Sequence, residues 1–217
     1  FELAAINTYI SSLFNTIDGG FAETPSGISD VKSTFYALSS INTLGLSKPL
    51  FFNETTTLNF IINCSNTDGG FGLRPILNYS SDFISGWAAM KSFDILKQEN
   101  LIEIVNISDA TLRYYEWLHS FQGKNSLFGY TTMEANYYGV SALYKYDPMI
   151  FTEFIYDDFL TMEDLENIIL FVDQCFNPYD GSYASTPGAN STLYATYCGL
   201  NIYEILYHCL VIPGPFP

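Results

Sequence analysis

The chain has 217 residues, 48% of them apolar and only 14% charged, against about a quarter charged in an ordinary soluble domain. That composition excludes a disordered chain, and eight Lys and Arg against 23 Asp and Glu, a formal charge of −15, exclude a nucleic-acid footprint. No run of about 18 uncharged apolar residues occurs, so no membrane insertion is expected, and anionic membrane surfaces would repel the chain.

Taken in order, the elements repeat. An apolar stretch of helical length, Leu3–Phe14, runs into Asp18-Gly19-Gly20-Phe21, and a second helix is predicted near Val31–Leu44. The same succession follows as Thr56–Cys64, Asp68-Gly69-Gly70-Phe71 and Phe83–Leu96. A third copy reads Ala110–Phe121, with Ser108-Asp109 as its N-cap, a decayed turn Asn125-Ser126-Leu127-Phe128-Gly129, then Asn136–Tyr146. The fourth is Met162–Phe176, Asp180-Gly181-Ser182-Tyr183 and Thr192–Leu206; Thr161 caps its first helix and Asp164 closes a capping box. Successive turns lie 50, 57 and 55 residues apart. Glycine and proline between the helices end the first and cannot continue it.

The members of each pair differ. In Met162–Phe176, Leu165, Ile168, Ile169 and Val172 form one apolar stripe with Glu163, Asp164, Glu166 and Asp173 opposite, the pattern of a helix with one wet face. The downstream helices carry small residues on several faces, among them Ser33, Gly86, Ala88, Ala89, Gly139, Ala142 and Gly199, so they are placed inside. The expected product is all-α: one domain over 1–217, four helical hairpins (about 1–46, 50–100, 107–147 and 161–212), each with an outer and an inner helix.

The turn Cys64-Ser65-Asn66-Thr67-Asp68-Gly69-Gly70-Phe71-Gly72 resembles the C-Q-N-x-D-G-G-F-G signature of the prenyltransferase and squalene-cyclase repeat, and Ser29-Asp30-Val31-Lys32-Ser33-Thr34-Phe35-Tyr36-Ala37-Leu38 resembles that family's S-D-x-x-x-T-x-Y-A-L. The resemblance implies an α/α toroid of inner helices ringed by outer ones. Family members commonly close with five to seven hairpins, so four imply an incomplete or open toroid.

The resemblance also implies where chemistry would sit. Protein prenyltransferases hold zinc with an Asp-x-Cys and a histidine in a D-x-Y-H-T frame. In that frame the histidine place falls on Ser33, Ser85, Tyr138 and Ala195, none of which replaces a zinc-binding imidazole. His119 and His208 lie elsewhere, and Asp173-Gln174-Cys175 aligns with the end of an outer helix rather than the inner face. The D-x-D-D acid of terpene cyclases is missing: Asp157-Asp158 is only a pair, outside the inner helices. The G-C-G-E-Q of thioester domains is missing too. The acidic run Glu153 to Glu166 lacks the spacing of a calcium loop and is expected to be a solvated face. No metal and no cofactor are therefore expected. Tyr36, Trp87, Tyr137, Tyr138, Tyr194 and Tyr197 would line any inner cavity and could take a small apolar ligand; filling of the space between four inner helices is preferred.

Five N-x-[ST] sites occur, at Asn53, Asn63, Asn78, Asn106 and Asn190. With the acidic composition and an opening Phe1 rather than Met, they place the chain outside the cell or on its surface, with glycans on some sites. Cys198 and Cys209 stand about 16 Å apart along one helix and cannot bond; Cys175–Cys198 is the candidate disulfide, with Cys64 buried as a small apolar residue. The flanks of the first and last hairpins are left uncovered, so self-association or a protein partner is expected there. The expected function is a non-catalytic extracellular structural, assembly or binding module; the alternative is an isoprenoid-processing enzyme or an apolar-ligand carrier.

Overall fold

The structure is a computed structural model that describes residues 3–75, 79–98, 104–120, 132–146 and 162–211. Among them run eight helices: α1 (Leu3–Ser12), α2 (Val31–Leu44), α3 (Glu54–Asn63), α4 (Phe83–Gln98), α5 (Ile104–Ser120), α6 (Met133–Tyr146), α7 (Met162–Cys175) and α8 (Leu193–Val211). The fold is all-α, as expected, with helices in the pairs that the repeat marks out. No helix among the described residues is long and apolar enough to cross a membrane.

Local chemistry sets the ends. Asp30, in extended backbone, caps α2 by accepting the Ser33 amide, and α2 stops at Gly45, whose left-handed φ of 59° lets its amide reach the Ile41 and Asn42 carbonyls. Asn53 caps α3 in the same way through Thr56. One boundary differs from expectation. Ser108 and Asp109 do not cap α5 but lie inside it, because the helix starts at Ile104 and the apolar spacing through Ile104, Ile107, Thr111, Tyr114 and Leu118 continues upstream.

The turns also contain short antiparallel pairs. Strand β1 (Phe21–Ala22) pairs with β2 (Ser29–Asp30), and β3 (Phe176–Asn177) with β4 (Ser182–Tyr183). A two-residue strand is too short to show an alternating pattern in the sequence. In the first two turns the aromatic after the glycines bridges back to the end of the outer helix, Phe14 with Phe21 and Ser65 with Phe71.

Packing divides the chain into two compact units, 1–117 and 118–217. In the first, α2 and α4 are the main helix pair, with α3 against α4; Val31, Leu38, Ile61, Phe71, Phe93 and Leu96 form its core. In the second, α6 and α8 are the main pair, with α7 against both, around Leu165, Ile168, Val172, Ala195 and Ile202. Helices read as inner therefore pack on each other in both units. The division falls at Trp117–Leu118, within α5, and not between repeats.

Candidate functional site

The repeated residues build one local device. In Asp18-Gly19-Gly20, the Asp18 carboxylate accepts the Gly20 amide at 2.9 Å and the Ser29 hydroxyl at 3.0 Å. Asp68 takes the Gly70 amide and the Ser81 hydroxyl, at 3.0 and 2.7 Å, and Asp180 takes the Ser182 amide at 3.0 Å, with Ser191 at 3.5 Å. Each aspartate thus ties its turn to the residue just before an inner helix. Those bonds hold the exposed Asp180 carboxyl below the usual carboxylate range, the Ser182 hydroxyl first among them. The first glycine is required: Gly19, Gly69 and Gly181 have φ of 80°, 93° and 70°, a region costly for any other residue.

The inner helices then start alike. Asp30, Asp82, Thr132 and Thr192 are their caps, each accepting the amide three residues on, from Ser33, Ser85, Ala135 and Ala195. Numbering from the cap, N1 is Val31, Phe83, Met133 or Leu193. At N4, Thr34 and Thr196 accept the turn amides of Phe21 and Tyr183, both at 3.0 Å. That bond accounts for the threonine repeated in the sequence.

This frame fixes the place where the resemblance would put a zinc-binding histidine, N3. It holds Ser33, Ser85, Ala135 and Ala195; the third was assigned to Tyr138 from sequence, and the Thr132 cap moves it to Ala135. The Ser33 and Ser85 hydroxyls donate to their own capping aspartates at 2.8 and 2.6 Å. Asp173-Gln174-Cys175 makes no ligand pair: Asp173 is exposed and accepts the Tyr203 hydroxyl, while Cys175 is buried. Among the described residues no three His, Cys, Asp or Glu side chains gather as a metal site. Asp157, Asp158 and the side chains of His119 and His208 lie outside them.

The aromatics fall into register at N5: Phe35, Trp87, Tyr137 and Tyr197. Phe35 meets Trp87 edge-on at 4.7 Å, and Tyr137 meets Tyr197 edge-on at 5.7 Å. Phe35 was missed in the sequence because its neighbour Tyr36 drew the assignment; counting from Asp30 would have found it. Of the expected ligand-lining residues, Trp87 and Tyr138 are buried, whereas Tyr36, Tyr194 and Tyr197 are exposed. Tyr36 lies beside Phe35 in the first unit, the rings 5.2 Å apart and tilted by 51°. In the second, the Tyr138 and Tyr194 hydroxyls bond, the Tyr137 and Tyr197 hydroxyls stand 3.4 Å apart, and the Tyr194 and Tyr197 rings are parallel within 8°. Burial and the Tyr197 contact raise the Tyr137 phenol well above its ordinary value.

Cys64 and Cys175 both end outer helices, and their carbonyls accept the equivalent turn amides of Gly72 and Ala184. The expected Cys175–Cys198 bond is not formed: both are free, buried thiols, as is Cys64. The Cys64 thiol donates to the Phe60 carbonyl at 3.4 Å, and burial pushes Cys64 and Cys198 up to about 12 and Cys175 up to about 11, which removes the thiolate needed for exchange. Of the glycosylation sites, Asn53, Asn63 and Asn190 are exposed. Asn78, the Asn106 side chain and the third turn near Asn125 lie outside the described residues.

The Prenyltransferase alpha-alpha toroid domain matches this sequence over residues 1–131 and again over 34–211. The chain belongs to the prenyltransferase alpha-alpha toroid family. Among solved structures, a Candida albicans protein geranylgeranyltransferase-I complexed with GGPP matches with a TM-score of 0.65 at 15% identity, covering 92% of this chain and 59% of that one. At that identity the likeness is one of fold, and the toroid chain here spans less than two thirds of that enzyme's length. No curated protein matches the sequence.

Proposed function

We propose that this chain is a toroid-family member without prenyl-transfer chemistry of its own, working outside the cytoplasm as a binding and assembly module. One observation carries this reading: at all four N3 places the residue is serine or alanine, and both serine hydroxyls are committed to the capping aspartates. A Lewis acid needs imidazole, thiolate or carboxylate donors converging on one point; the carboxylates at the inner-helix starts, Asp30 and Asp82, accept from their own helices, and no three such side chains gather among the described residues. What the repeats do offer is surface, arranged by the same turn device along the chain. The exposed Asn53, Asn63 and Asn190 support the extracellular part, each accessible to a glycosyltransferase. The test is an assay for transfer of labelled farnesyl and geranylgeranyl diphosphate to thiol peptides, run with added zinc, beside elemental analysis of the purified chain. No turnover and no stoichiometric zinc are expected; turnover, or one tightly held zinc per chain, overturns the reading.

A second reading rests on the parallel Tyr194 and Tyr197 rings, half exposed beside buried Tyr137 and Tyr138. Such faces suit an apolar chain or a cation, as in a carrier or an isoprenoid-processing enzyme; the solved relative was complexed with GGPP. Quenching of tyrosine fluorescence by geranylgeranyl diphosphate, lost in Tyr194→Ala, would favour it. No quenching would remove it.

A further inference from the structure

Resting on the extracellular part of the module reading, we infer that Asn53 carries an N-linked glycan whose first N-acetylglucosamine lies on the exposed ring of Phe51. A strained turn holds that ring out as a stacking platform. The segment is internal, between α2 and α3, and every residue from 3 to 75 is described.

Residues 49–52 form a turn closed by the Phe52 amide on the Pro49 carbonyl at 3.0 Å, and its third residue, Phe51, has a φ of 66°. Turns closed in the same way recur at residues 24–27 and 186–189, where the third residue is Ser26, with φ of 63°, or Gly188, with φ of 79°. Left-handed backbone is free for glycine and open to small polar residues, but a bulky aromatic there is an outlier. Phe51 gains no burial in return: its side chain is 77% exposed, and Leu50 beside it is 78% exposed. Strain kept at a residue that packs on nothing points to a use outside the core.

Two residues on stands the first sequon, Asn53-Glu54-Thr55. Phe52 between them turns inward, its ring 5.5 and 6.3 Å from those of Phe14 and Phe21. Phe51 and the extended Asn53 therefore face outward together, at most about 7 Å apart along the backbone. Asn53 caps α3 by accepting the Thr56 amide at Oδ1, while its Nδ2, on an exposed side chain, has no acceptor among the described residues. Transfer forms the bond from Nδ2 to C1 of the sugar and breaks the C1–O bond to the diphosphate of a lipid-linked oligosaccharide. Nδ2 gives up one proton, the lipid diphosphate leaves, and Oδ1 stays a carbonyl, so the cap survives modification. The aromatic face, negative by its quadrupole, attracts the C–H bonds that line one side of a pyranose. At the other four sequons the residue two places before asparagine is isoleucine or glycine, and none offers such a face.

The test uses the full chain secreted from a eukaryotic host that adds N-glycans, trimmed enzymatically to a single N-acetylglucosamine per site. Peptide mapping is expected to find the sugar on Asn53. Thr55→Ala removes the sequon and leaves Asn53 as the cap; it is expected to lower the melting temperature by about 2–4 °C, and by less than about 1 °C in the Phe51→Ala background. Comparing the two backgrounds cancels what the substitution does to α3 itself. Phe51→Gly, which takes left-handed φ freely, repeats the comparison without a strained turn. Proton NMR reads the stacking directly: the ring current moves the sugar protons upfield, and the shift vanishes in both Phe51 variants. Asn53 left bare while other sequons are modified overturns the inference. So does an equal thermal loss in both backgrounds, or a sugar spectrum untouched by Phe51→Gly. Mapping of the chain from its native source separates the two readings. Glycans elsewhere with Asn53 bare overturn this inference alone, whereas all five sequons bare overturn the extracellular reading beneath it.

Discussion

At the scale of the residue, one glycine does the same backbone work in three turns but in different surroundings. Gly69 has left-handed φ and the Arg113 carbonyl over it, while Gly181 has left-handed φ and open space. Gly69→Ala should therefore cost the strain and a clash with backbone, more than about 3 kcal/mol, whereas Gly181→Ala costs only the strain, about 1 kcal/mol. Urea titrations of the two variants check the difference. The three buried thiols make a second prediction. Their folded values lie above the 9.0 of a free thiol, so the unfolded chain loses these protons first as pH rises. The stability they contribute is full below pH 9 and declines from there toward 12; unfolding midpoints at pH 8 and 10.5 should fall in that order. At pH 8 a chromogenic disulfide reagent should leave all three untouched in the native state and modify them after unfolding. A native chain in which Cys175 and Cys198 stay unreactive even after denaturation would restore the expected disulfide.

At the scale of the element, the cap decides where everything else on an inner helix stands. Asp30→Ala removes both the bond to the Ser33 amide and the acceptor of the Ser33 hydroxyl, and should cost about 1–2 kcal/mol. Thr34→Val keeps the shape but strands the buried Phe21 amide that Thr34 accepts, and should cost at least as much, about 1–3 kcal/mol; both are read from denaturant midpoints. The helices themselves were legible in the sequence, since 3.6-residue periodicity and the glycine turns leave little choice of ends; α2 matches its expected bounds. Register was less legible. In repeat three the turn has decayed and Thr132 replaces aspartate as the cap, so alignment on Gly139-Val140-Ser141 slid the frame by three residues and put Tyr138 where Ala135 stands. Phe35 was hidden for a related reason: adjacent aromatics, Phe35-Tyr36 and Tyr137-Tyr138, look alike until a capping bond counts them. The burial split within the expected ligand set follows the face each ring takes and not the helix it sits on, since Tyr36 is exposed although α2 packs on α4, and the local pattern did not carry that difference.

At the scale of the whole molecule, family membership and the proposed lack of prenyl transfer rest on different residues. The toroid repeat survives through its turn aspartates, caps and apolar positions, all of which serve packing, while the N3 places that chemistry would need hold small residues. Restoring a single imidazole by Ala195→His should therefore leave zinc binding unchanged under elemental analysis, because one donor without converging partners binds weakly; stoichiometric zinc in that variant would reveal a ligand set waiting for it. The division of packing within α5 has a practical side for anyone cutting the gene. Trp117 and Tyr114 stack on each other and reach Phe83 and Phe71, and the Tyr114 ring fills the space where a side chain at Gly86 would go. A truncation placed at the repeat junction, after residue 100, would strip these rings from the first two repeats and should yield aggregating material. One extended to residue 120 keeps them and should give a soluble, cooperatively melting fragment. The natural seam for dissection thus follows the third outer helix, one helix beyond where the repeat junction would draw it.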